Sequence, residues 1–217
     1  MVIDMKTLEI KTADLKKLRK AMEKELNAKR YEHTLSVAYT ASALAMVYDT
    51  DPNKALIAGM LHDCAKCLPN KKLISICEKN NLPISETELQ NPAALLHAKV
   101  GSFLAEEKYE IEDEDILNAI RYHTTGRPGM SELEKILYIA DYIEPGRKHA
   151  SNLFQIRRMA FQDLDEALFK ILEDTLSYLH SVSGHLDDKA LKTGPLDPMT
   201  QETYNYYHKT LRKGQTI

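Results

Sequence analysis

Apolar residues in this chain recur every three or four positions, and no run of alternating β-branched residues is long enough to suggest a sheet. Leu15, Leu18, Met22 and Leu26 make a three- and four-spaced stripe on an otherwise charged segment, which predicts an amphipathic helix over 13–28. A richer stripe through Val37, Ala41, Leu44 and Tyr48 predicts a second helix from Arg30 to Tyr48. Asp51-Pro52 and Asn91-Pro92 each set a capping side chain before a proline, whose fixed φ and missing N–H suit the first helical position. Helices are therefore expected near 52–67 and 92–107. Ser131 with Glu134 three residues later reads as a capping box, opening a helix that ends near Pro145-Gly146. Asp197-Pro198 starts a last amphipathic helix, and Gly214 is placed to stop it. The polar stretch 181–196, with its two glycines and one proline, is the plausible linker. The expectation is an all-α domain over 1–180, followed over 181–217 by a linker and a C-terminal helical tail packed on it or extending from it.

Composition narrows the function classes. The chain has 217 residues, 43% apolar and 28% charged, which is ordinary globular usage and enough length to bury a core without staples. No stretch approaches the eighteen or so consecutive apolar residues of a membrane span, so no membrane partner is expected. The first residues lack a basic patch followed by an apolar run, so a secretory signal is not expected either. Three cysteines, Cys64, Cys67 and Cys77, are too few and odd in number for a disulfide framework, which points to the cytoplasm. A net charge of −3 without a Lys/Arg block argues against nucleic acid as a partner. A small anion remains compatible, because a few arginines and a metal can hold one locally.

The candidate chemistry lies in where histidines and aspartates fall. His33 shares a face with Val37, Leu44 and Tyr48; His62 continues the stripe of Ala55, Ala58 and Gly59, with Asp63 beside it; Asp141 continues Leu133, Ile136, Leu137 and Ala140. One buried histidine is ordinarily a hydrogen-bonded core residue, and a His-Asp dipeptide is common by chance. Four such groups facing inward from three helices are expensive unless something satisfies them together, and two imidazoles with two carboxylates suit a divalent cation. Arg30, three residues before His33, shares its face and could grip a phosphate with two parallel hydrogen bonds. Arg127 and Arg147 flank Gly/Pro turns that could hold a cation over a pocket. His97 and His123, near the ends of predicted helices, could complete a second metal site or donate protons to phosphate oxygens. Other features carry less. Cys64 and Cys67 have C-x-x-C spacing without a second pair or a βαβ setting. His149, His180, His185 and His208 sit in polar text, Tyr204, Tyr206 and Tyr207 fit a packing tail helix, and no P-loop or Rossmann glycine pattern is present.

The ligand order His33, His62-Asp63, Asp141 resembles the HD-domain superfamily of all-helical, metal-dependent phosphohydrolases. The segments LIAGMLHDCAKCLP, PAALLHAKVG, IRYHTTGRPGMSELEKILYIADYIEPGR and DLDEAL resemble, in order and spacing, the YqeK family of bacterial HD proteins. The resemblance spans about 15–180, and the tail PLDPMTQETYNYY is similar to that family's end. It implies an HD-domain helical bundle that cleaves diadenosine tetraphosphate (Ap4A) symmetrically into two ADP, with iron in the site. It further implies metal ligation by His33, His62, Asp63 and Asp141, and nucleotide contacts by Arg30, by His97, Ala98 and Lys99, by His123 and Thr124, and by Tyr142, Glu144 and Arg147. Where the family reads LLHGPVG this chain has LLHAKVG, so Ala98 and Lys99 replace a small, uncharged pair.

The mixed nitrogen and oxygen ligands also admit Mn, Co or Zn, at one or two ions per chain. Metal-activated water would attack an inner phosphorus, with Asp63 as general base besides ligand and His97 and His123 as further catalytic groups. The alternatives are an HD phosphohydrolase acting on another nucleotide, a regulatory module that binds ADP or GDP, and a di-iron oxygenase. A homodimer is left open.

Overall fold

The structure, a computed structural model, describes residues 15–148, 152–183 and 196–212. Among the described residues the chain forms eleven helices and no strand: α1 (Leu15–Glu25), α2 (Ala28–Val47), α3 (Pro52–Leu61), α4 (Asn70–Lys79), α5 (Glu86–Gln90), α6 (Pro92–Tyr109), α7 (Glu114–Tyr122), α8 (Glu132–Ile143), α9 (Leu153–Ala160), α10 (Leu164–Ser183) and α11 (Pro198–Leu211). The all-α expectation holds. His149, His185, Gly214 and residues 184–195 of the expected linker lie outside the described residues; the start of that linker, through Ser183, is the end of α10.

The local start signals act as the pattern predicts, with one exception. Asp51 accepts from the backbone of Asn53 (2.8 Å) and Lys54 (3.4 Å) ahead of Pro52. The Ser131/Glu134 capping box is fully formed, and Asp197 caps α11. Asn91, by contrast, makes no side-chain cap bond; Pro92 alone sets the start of α6. An additional cap, Asn27, accepts from the backbone of Arg30 at 3.0 Å and so fixes the first turn of α2. The third helix also ends earlier than expected, at Leu61. From there the bonds Cys64 N–H to Leu61 O, Lys66 N–H to Asp63 O and Leu68 N–H to Ala65 O tighten the chain to three-residue turns. That tightening re-aims the segment carrying His62, Asp63 and Lys66.

Helices α2, α3 and α8 pack together at the centre, with α7 wedged against α3, α6 and α8, and with α9 and α10 behind α8. The α2 and α3 backbones nearly touch. A Cβ on Gly59 would stand 2.5 Å from Ala38 Cα, so only glycine allows this approach. A smaller apolar cluster of Ala65, Leu73, Cys77, Leu96 and Val100 seats α4 on α6.

The tail helix docks by its tyrosines. Tyr204 stacks on Phe169 (5.8 Å between ring centroids, 20° apart), and Met130 N–H donates to the buried Tyr207 hydroxyl at 2.9 Å. Gly126, at φ 65°, lies so close to α11 that a Cβ would meet Thr203 Cγ2 at 2.7 Å. No helix of the described residues is long and apolar enough to cross a membrane.

Candidate metal centre

Four imidazoles form a chain through the middle of the bundle. Ring centroids lie 5.4 Å apart for His33–His62, 5.0 Å for His62–His123 and 5.0 Å for His97–His123. Each ring comes from a different element: α2, the end of α3, α6, and the residue after α7. His62, His97 and His123 are buried, and His33 is nearly so.

Second contacts fix the tautomers. His62 Nδ1 donates to Gly59 O (2.7 Å) and His123 Nδ1 to Ile120 O (2.7 Å), since a carbonyl can only accept. His33 Nδ1 stands 3.2 Å from Glu144 Oε1 and donates to it. In a neutral ring this leaves the Nε2 lone pair facing inward, the arrangement in which an outer partner orients a metal-binding imidazole.

The inward atoms converge. His33 Nε2 lies 3.0 Å from Asp141 Oδ1 and 3.8 Å from Asp63 Oδ2, and His62 Nε2 lies 3.4 Å from Asp63 Oδ2. Close as they are, the Nε2 atoms of His33 and His62 are buried and meet no hydrogen-bond partner. Buried polar atoms without partners are rare, and two of them aimed at neighbouring carboxylates suit a divalent cation. His33, His62 and Asp141 offer ligand atoms within 4.8 Å of one another, and so do His62, Asp63 and His123. All four residues expected as ligands are thus brought together.

Asp63 is the hub. Its Oδ2 accepts from Arg30 Nη1 at 2.7 Å, and its Oδ1 lies 3.2 Å from His97 Nε2 and 3.8 Å from His123 Nε2. The two Nε2 atoms of His97 and His123 face each other at 3.1 Å. Burial opposes ionisation of Asp63, but His62 and His97 outweigh it and hold the carboxyl well below its usual range. Asp141 is likewise lowered, burial being overcome by His33, His62 and Arg147. His62 is pulled two ways: burial disfavours its charged form, yet Asp63 wins and its pKa is raised. Burial, with His62 and His97 nearby, pushes His123 down to about 3, and burial lowers His97. Asp63 and Asp141 are thus favoured as carboxylates, and His97 and His123 as neutral imidazoles, the protonation states in which such groups ligate a cation.

The remaining candidates separate into those at this centre and those away from it. Arg147 is at it, donating to Asp141 Oδ1 (2.9 Å) and to the Asp141 carbonyl (2.8 Å). Glu144 faces His33, and its other oxygen accepts from Gly146 N–H at 2.5 Å. Tyr142, in the last turn of α8, is half-buried. Ala98 is buried on α6. Lys99, two positions after His97 and so on the opposite side of that helix, points elsewhere: its ammonium binds Glu88 (2.6 Å) and Pro83 O (2.5 Å). With Thr124 it lines a cavity of about 300 Å³ walled by α5, α6, the end of α7 and the first turn of α11, which includes none of the candidate metal ligands. Arg127 forms a two-pronged pair with Glu134 at 2.6 and 2.9 Å and braces the start of α8.

Sequence reasoning missed Lys66. Its ammonium stands 3.3 Å from both ring nitrogens of His97, in surroundings whose burial lowers its pKa. The available signal was a lone lysine inside the apolar text LHDCAKCL. Cys64, by contrast, is inert: burial pushes its thiol up to about 12, and Cys64 and Cys67 are not bonded to each other.

The HD domain family model matches residues 30–146, a span that opens at Arg30 and closes just before Arg147. The chain belongs to the HD-domain family. It is 39% identical, over 85% of its length and 92% of the relative's, to a Bacillus subtilis protein named bis(5'-nucleosyl)-tetraphosphatase, symmetrical. A Staphylococcus aureus protein of the same name is 39% identical over 76% of this chain and 85% of its own. A crystal structure of a Clostridium acetobutylicum protein, described as a predicted HD superfamily hydrolase involved in NAD metabolism, superposes with a TM-score of 0.80 at 42% identity. That match covers 88% of this chain and 95% of the other. These relatives place the chain in the YqeK-type branch that the sequence motifs indicate.

Proposed function

We propose that this HD-domain chain hydrolyses Ap4A symmetrically to two ADP in the cytoplasm, using a divalent metal held by His33, His62, Asp63 and Asp141, with iron as the resident ion. The observation that carries the reading is the pair of buried, unpartnered Nε2 atoms of His33 and His62 beside two carboxylates. The naming of relatives that share most of its length supports the substrate. A divalent cation so held supplies Lewis acidity toward a phosphoryl oxygen and lowers the pKa of a coordinated water.

The chain's own groups do the rest. Arg30 (33% exposed) and Arg147 (41% exposed) reach the rim, each anchored on a candidate ligand, and together with Lys66 they offset the charge of the polyphosphate. Water attacks one of the two inner phosphorus atoms in line, the bond to the oxygen bridging the inner phosphates breaks, and that oxygen leaves with ADP. Asp63 orients the water and takes its proton in passing. Lys66, whose ammonium stands beside His97, would offset charge that develops on the phosphate chain. Uptake of one water and release of two ADP balances the reaction.

The test is product analysis. Metal-free protein reconstituted anaerobically with Fe²⁺ or Mn²⁺ is given Ap4A, and products are resolved by ion-exchange chromatography. ADP should appear at twice the rate at which Ap4A disappears. An early ATP-plus-AMP pair would reject symmetrical cleavage, and turnover confined to mononucleotides would reject the substrate. A strict need for oxygen would reject hydrolysis.

A further inference from the structure

We infer that Arg157, which touches none of the candidate ligand side chains, is a positioning residue that sets the metal affinity of the centre. The inference rests on the proposed metal ligation by His33 and Asp141.

Helix α8 stops at Ile143, and its last carbonyls need donors from outside the helix. Two arginines provide them. Arg147 covers the Asp141 carbonyl from within the turn. Arg157 reaches across from α9: its Nε donates to Ile143 O at 2.8 Å, and its Nη2 donates to Glu144 O at 2.7 Å and Arg147 O at 3.3 Å. One planar fork thus pins three carbonyls of the segment Ile143–Arg147. A lysine, with a single ammonium point, cannot reproduce that span.

What this segment delivers gives the contact its meaning. Glu144 leaves the helix in an extended conformation (φ −49°, ψ 150°) and presents Oε1 to His33 Nδ1. Arg147 turns back onto Asp141. The segment therefore orients one imidazole and one carboxylate of the centre at once. Arg157 itself stands on an anchored support. Ile156 and Ala160 on α9 are fully buried, and Tyr48 Oη donates to Ala160 O at 2.8 Å, tying α9 to α2, the helix that carries His33. Arg158, the next residue, is exposed and serves as a control.

The test measures metal binding in the full chain by Co²⁺ titration against a competing chelator, with the Co²⁺ d–d absorption bands reporting ligand geometry. Arg157→Ala should bind Co²⁺ about 10- to 100-fold more weakly than wild type and shift the bands, while Arg158→Ala leaves both unchanged. Arg157→Lys should fall between, and it replaces Arg157→Ala should that variant not fold. Because Arg157 acts through Glu144, the affinity losses of Arg157→Ala and Glu144→Gln should not add in the double variant. Wild-type affinity and bands in Arg157→Ala would overturn the inference. So would fully additive losses, or a loss matched by the unfolded fraction seen in circular dichroism of the metal-free chain. Failure of wild type itself to bind Co²⁺ would instead overturn the metal assignment, and the inference with it.

Discussion

Asp63 Oδ1 stands 3.2 Å from His97 Nε2, while the other oxygen of the same carboxylate accepts from Arg30 at 2.7 Å. One side chain therefore spans two donor groups. His33 and His62 gather near Oδ2, with Asp141 against His33, and His97 and His123 lie near Oδ1. Such a bridge would suit a centre for two cations, in which the two deeper histidines would serve as ligands.

Metal stoichiometry should accordingly reach about two per chain after anaerobic reconstitution with iron, as in two-metal phosphoesterases. His97→Ala and His123→Ala should each bring the metal content toward one, with kcat collapsing. Asp63→Ala should cost metal at both positions, because its two oxygens reach both groups. Metal analysis of desalted protein reads this directly. A wild type that never exceeds one ion would leave His97 and His123 as phosphate-binding groups, raising KM when lost.

Arg30 has a separate signature. It is no candidate ligand, and its guanidinium pairs with Asp63 at 33% exposure, on the rim of the centre. Arg30→Lys keeps the charge but loses the fork, and Arg30→Ala loses both. Loss of charge-assisted contacts of about 1.5–3 kcal/mol corresponds to a fall in kcat/KM of roughly 10- to 100-fold for Arg30→Ala. Most of it should appear in KM, with metal content kept. Steady-state kinetics alongside metal analysis checks this, and an unchanged KM would remove Arg30 from substrate binding.

How much of this was legible beforehand depends on the range of the contact. Caps are local, so Asp51, Ser131/Glu134 and Asp197 announced their helices within four residues. The convergence of His33, His62, Asp63 and Asp141 was legible because polar groups interrupted apolar stripes at helical spacing. Asn91 misled, since a capping residue type before proline does not fix the backbone that lets its side chain turn back; here ψ is 62°. Lys99 was drawn toward the site by the family resemblance of the segment that starts at His97, though two steps along a helix point the other way. Lys66 and Arg157 were hidden for the opposite reason. Their roles depend on partners 31 and 14 residues away, which no periodicity encodes.

A pH effect on stability should come from Asp113, away from the centre. Burial raises its pKa, but the ion pair to Lys54 (2.6 Å) and the backbone N–H groups of Ile116 and Asp115 outweigh burial, so the net shift is downward. A carboxyl with a lowered folded pKa stabilises the fold above its unfolded pKa of about 3.9 and loses that contribution as pH falls through the folded value. Asp113→Asn keeps the helix cap and removes the titration. It should be less stable than wild type by about 0.5–1 kcal/mol at pH 7, the difference closing as pH drops below about 4. Urea unfolding across that range decides it; a gap that stays constant with pH would rule out the ion pair as its source.

Gly59 offers the last prediction, because it joins the packing of the bundle to the geometry of the centre. In an ordinary helix interior, Gly→Ala stabilises by about 0.8–1 kcal/mol through backbone entropy. Here the added Cβ would lie 2.5 Å from Ala38 Cα and 3.0 Å from Ala38 N, both backbone atoms that no rotamer change can move. Helices α2 and α3 would have to separate, at a cost of about 1–3 kcal/mol for an overpacked contact, so the net effect of Gly59→Ala is destabilising. The separation also bears on the site. His62 Nδ1 hangs from the Gly59 carbonyl, and His33 rides on the helix being pushed away. Gly59→Ala should therefore lower the melting temperature and weaken Co²⁺ binding together. A second substitution discriminates the cause. Ala38→Gly removes the Cβ at 3.2 Å but leaves the nearer Cα and N in place, so it should not rescue Gly59→Ala. Full rescue by Ala38→Gly, or wild-type melting and metal affinity in Gly59→Ala, would show that the helices do not meet as closely as this contact requires.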